Sequence, residues 1–168
     1  NHWTHITTAK DNHGYNSGMA TLVKIGPKGE TLSHKFVVMG GTLANSNTRT
    51  ADIEMIDLVQ PNPQFVLQQP MYQPGTNIHA VMLPAGKVLL RGGAGPGGGS
   101  FETANMTRHM MFNPADGTTT TLAKSTFLGA LHKTVMLLPD ATTIAMAGDR
   151  SAMVATGDRV FSPGDQDT

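Results

Sequence analysis

Apolar residues in this chain fall in short runs that end at proline or glycine, and two pairs of runs repeat in the same order. Ile78-His79-Ala80-Val81-Met82-Leu83 leads into Pro84, and Val88-Leu89-Leu90-Arg91 then leads into Gly92-Gly93. Leu131-His132 opens a second copy that runs through Val135-Met136-Leu137-Leu138 to Pro139, then through Thr143-Ile144-Ala145-Met146 to Gly148. Short apolar runs bounded by turn formers read as strands. Phe127, Leu131, Val135 and Leu138 also fall near helical spacing. The matching run stops at Pro84, too early for a helix, so a strand is expected over Leu131 to Leu138 as well. A looser, earlier copy has one strand over Ser17–Lys24 and another over Phe36–Met39, closed by Gly40-Gly41. Third strands are expected at Ile53–Leu58, Arg108–Asn113 and Asp158–Ser162, and fourth strands at Gln64–Gln68 and Thr118–Leu122.

The repeat sets the architecture. His79 and His132 are 53 residues apart, and the glycines closing the second strands recur after 52 and 55 residues. A period of ~50 with four short strands per unit is the pattern of a kelch-type β-propeller blade, a four-stranded antiparallel sheet. The expected fold is therefore all-β, a single propeller segment over 1–168. Residues 1–16 read as the outer strand of a preceding blade and a linker, 17–70 and 77–123 as two blades, and 131–168 as a partial blade. About three blades do not close a ring of ~4–8. The remaining blades are expected from the same protein or from another copy, with Trp3–Thr8 completing the third sheet in the latter case.

Composition narrows the function. Twelve basic and twelve acidic side chains cancel, which gives no electrostatic footprint for nucleic acid. No apolar run approaches the ~20 residues of a membrane span, and no signal peptide is read in this chain. The absence of cysteine excludes disulfides and zinc–thiolate sites within it.

The two repeats resemble the galactose-oxidase-like propellers, which include glyoxal oxidases. The resemblance rests on His79 to Gly93, which nearly meets "His-x-x-x-x-Leu-Pro-x-Gly-Lys-Val-Leu-x-x-Gly-Gly". It also rests on Leu131-His132 to Asp140, which partly meets "Tyr-His-x-x-x-Leu-Leu-Pro-Asp-Gly". The resemblance implies an extracellular or cell-surface protein and a copper site on the ring axis, with His132 at the position of a copper-binding histidine. Leu131 stands where the family has an axial tyrosine, and the cross-linked Tyr–Cys cofactor cannot form without cysteine. No cofactor is therefore expected in this chain, with copper left open.

His79 and His132 are the candidate metal ligands, since two imidazoles at the start of inner strands can bind Cu(II). The alternative is that each caps a strand start and hydrogen-bonds a loop carbonyl. Gly93 to Gly98 matches G-x-G-x-x-G, but no helix is expected after it, so a loop is the better reading than a dinucleotide site. His2 and His5 are read as a solvated end. The methionines on predicted strands are read as gap fillers between sheets. The expected function is a non-catalytic binding or scaffold module recognising glycan or protein through its loops. The alternative is part of a copper-radical oxidase acting on alcohols or aldehydes.

Overall fold

The computed structural model describes residues 2–9, 13, 18–25, 28, 31–43, 46, 48–91, 93, 108–124, 134–146 and 158–160. Among these residues every regular element is a strand, and all strand pairs are antiparallel. Sheet one contains β1 (Gly18–Ile25), β2 (Thr31–Met39), β3 (Ile53–Asp57) and β4 (Val66–Leu67) in that order. Sheet two contains β5 (His79–Met82), β6 (Val88–Arg91), β7 (Arg108–Asn113) and β8 (Thr118–Lys124), again in chain order. Sheet three contains β9 (Thr134–Leu137), β10 (Thr143–Met146) and β11 (Asp158–Val160). The first strands are neighbours: β1 lies against β5, and β5 against β9. This arrangement fits propeller-like blades.

Burial explains the order. On β2 and β3, Val37, Met39 and Ile53 face sheet two and meet Val88, Leu90, Met110 and Phe112. Met71 and Ile78, from the segment joining the two sheets, close this core. The alternate residues of sheet two, Leu89 and Met111, point the other way and cluster with Leu83. All four residues of β6 are buried. A strand covered on both faces reads as a continuous apolar run rather than an alternation, and this is what Val88-Leu89-Leu90 shows. Each such side chain contributes about 1.5–3 kcal/mol on leaving water. Met39, Met71, Met110 and Met111 serve the core, whereas Met82 and Met136 are exposed.

The turn between the first two strands repeats atom for atom. In sheet two the Leu83 amide donates to the Lys87 carbonyl and the Gly86 amide to the Leu83 carbonyl. In sheet three the Leu138 amide donates to Thr142 and the Ala141 amide to Leu138. Gly86 (φ 74°) and Ala141 (φ 63°) occupy the same left-handed position. The double glycine after β2 also has a steric cause. A Cβ on Gly40 would come within 2.5 Å of the Gly75 carbonyl oxygen, while the Gly41 amide donates to that oxygen at 2.8 Å.

Two strands differ from expectation. β2 starts at Thr31, five residues before the apolar run at Phe36, because β1 offers pairing partners as far as Ile25. β4 shrinks to two residues, since Pro63 and Pro70 lack the amide protons a longer ladder needs. Residues 2–9 belong to no sheet, and the Thr7 hydroxyl donates to Gln64 Oε1.

Candidate functional site

His79 is the first residue of β5 and lies opposite Arg91 of β6. It is half-buried, Arg91 is buried, and buried His109 follows one position beyond the Leu90–Met110 pair on β7. The three side chains thus occupy one end of sheet two. Directly opposed residues on neighbouring strands have Cβ atoms only ~5 Å apart.

The shared turn also revises the pairing of the two candidate ligands. Leu83-Pro84 and Leu138-Pro139 correspond, so the counterpart of His79 is Thr134, the first residue of β9. His132 precedes that position by two residues and lies outside the described residues, as do Leu131 and residues 94–98 of the glycine-rich stretch. Among the described residues, no three His, Cys, Asp or Glu side chains gather as a metal would require. His5 is exposed, with its Nε2 3.1 Å from the Thr8 hydroxyl.

A buried polar pair escaped the sequence reading. His13 Nδ1 lies 2.7 Å from the Gly40 carbonyl oxygen, and Nε2 lies 3.3 Å from Glu54 Oε1. Both side chains are almost fully buried. A carbonyl can only accept, so Nδ1 carries a proton and donates it. The contact is an ion-pair separation rather than an aligned hydrogen bond. The signal for this pair in the sequence was a lone glutamate inside the apolar run Ile53-Glu54-Met55-Ile56. A fully buried carboxyl needs a partner.

The described surface also holds a groove of about 580 Å³ on the side of sheet one that faces sheet two, at its outer end. Met55, Val66 and Pro61 give it apolar surface, and Lys35, Asp57, Gln60, Asn62, Gln64 and Gln68 supply polar groups. Lys35 and Asp57 are opposite each other on β2 and β3. Lys35 Nζ donates at 2.8 Å to the carbonyl of Pro114, in the turn between β7 and β8, tying sheet one to that turn at the groove. Asp57 Oδ1 accepts from the His34 and Val59 amides, both at 3.3 Å, which holds the carboxylate in place.

Solved structures with this architecture exist. One is a fungal alcohol oxidase of the AA5 family in complex with copper: 24% identity, 68% of this chain covered and a TM-score of 0.59. Another is YjhT, at 10% identity, 86% of this chain and a TM-score of 0.58. This chain spans 24% of the former's length and 37% of the latter's. No protein-family model matches the sequence, and no curated protein does. At these identities the likeness is one of fold. No helix among the described residues is long and apolar enough to cross a membrane.

Proposed function

We propose that this chain supplies blades to a galactose-oxidase-like β-propeller and acts as a non-catalytic binding or scaffold module for a glycan or protein ligand. The observation that supports it best is the repeated sheet whose first strand neighbours the first strand of the next. In a propeller the loops at the strand ends form a common face, where binding residues concentrate on a rigid frame. The rest of the ring comes from the same protein or a second copy, and an extracellular or cell-surface setting follows from the family resemblance.

The copper-complexed AA5 neighbour and the match of His132 to a copper-binding histidine favour a second reading, part of an alcohol or aldehyde oxidase. The donors in this chain do not make that centre. Leu131 stands at the position of the phenol, and cysteine is absent. Copper would need donors from outside this chain, with His132 as one contribution.

Cu(II) titration with optical spectroscopy, run beside a glycan array, separates the two. The binding-module reading expects glycan signal and no peroxide from simple alcohols or aldehydes. Stoichiometric Cu(II) binding lost in His132→Ala, together with peroxide formation, would overturn it.

A further inference from the structure

We propose that the groove at the outer end of sheet one binds a neutral saccharide. The proposal rests on the binding-module reading and gives it a place and a ligand class. A volume of about 580 Å³ falls within the ~300–1,000 Å³ of small-ligand sites.

The chemistry of the lining selects the ligand. Lys35 and Asp57 cancel, so the groove offers no net charge to attract a phosphate or a polyanion. Lys35 uses one of its three protons on the Pro114 carbonyl, leaving two for a ligand oxygen. Asp57 Oδ1 is held by two backbone amides, and Oδ2 is left to accept from a hydroxyl. The Gln60 side chain makes no hydrogen bond among the described residues. Asn62 Oδ1 accepts from Gln64 Nε2 at 3.4 Å, which leaves the Asn62 amide protons to donate. Both donors and acceptors therefore accompany the apolar surface of Met55 and Val66. Hydroxyls that both donate and accept, on a ring with apolar C–H faces, match this set.

A peptide fits less well. Peptide addition at a sheet edge needs a run of free backbone groups. The edge here is β4, two residues long and flanked by Pro63 and Pro70.

The test is calorimetric titration of the chain with cellohexaose, maltohexaose and mannohexaose, at low and high salt, with a heparin hexasaccharide as the anionic control. Gln60 and Asn62 are exposed, so the double variant Gln60→Ala/Asn62→Ala retains the fold, which circular dichroism checks. At least one neutral hexasaccharide is expected to bind with little salt dependence, and its Kd is expected to rise about tenfold in the double variant, as the loss of one or two hydrogen bonds implies. Saccharide binding unchanged in the variant overturns the groove assignment and leaves the binding-module reading standing. Binding to none of the neutral probes overturns the proposal, and a salt-sensitive preference for the heparin probe overturns its ligand class.

Discussion

Ala141 sits at φ 63°, in the position that Gly86 takes at φ 74° one repeat earlier. A side chain in this left-handed region costs roughly 1–2 kcal/mol, which glycine avoids at some cost in unfolded-state entropy. Ala141→Gly is therefore expected to stabilise the protein by about 0.5–1 kcal/mol, and Gly86→Ala to destabilise it by about 1 kcal/mol. Nothing lies within 4 Å of a Cβ at Gly86, so that cost is backbone strain alone. Thermal unfolding of both variants measures it, and opposite signs are the expected result. In the turn joining β7 and β8, the carboxyl pKa of Asp116 lies below the ordinary value. The main cause is the Thr118 hydroxyl, with the Thr118 amide second. A depressed folded-state value gives stability that is present above the unfolded-state value and lost as pH falls through the folded one. NMR titration is expected to show Asp116 moving back up in Thr118→Val, where the hydroxyl is gone and the amide remains.

At the scale of elements, β3 depends on how Glu54 is satisfied. Removing one member of a buried pair leaves the other without compensation and costs about 3 kcal/mol or more. Glu54→Ala is expected to lower the urea midpoint accordingly. Glu54→Gln is expected to recover much of the loss, because an amide proton can be donated to His13 Nε2. The strands themselves were legible where apolar runs end at Pro or Gly, as at Val88–Arg91 and Arg108–Asn113. Legibility failed where pairing, not side-chain pattern, sets the length. Thr31 to Lys35 is polar apart from Leu32, yet it is strand because β1 lies beside it. The contact between Glu54 and His13 was hidden because the two lie 41 residues apart with no linear spacing to link them.

For the molecule as a whole, the repeat of just over fifty residues shows as three antiparallel sheets. The groove could not be read from the sequence. Its lining comes from β2, β3, β4 and the turn after β3, with no linear spacing to signal it. The histidine spacing differs from the spacing of the turns. Counting from His79 to His132 gives 53 residues, whereas the hydrogen-bonded turns recur after 55, and this difference of two places Thr134 at the position of His79. Met136 is 49% exposed on sheet three.

The stacking of sheets through their first strands is the claim on which the fold and the proposed function both depend. It can be measured directly, because a chain without cysteine accepts pairs of spin labels at chosen sites. Labels at the exposed positions Lys24 on β1, Met82 on β5 and Leu137 on β9 report the order of the strands through their dipolar coupling. The account predicts strong coupling from Met82 to each of the other two and weaker coupling between Lys24 and Leu137. Coupling between Lys24 and Leu137 that exceeds either of the other pairs would contradict it.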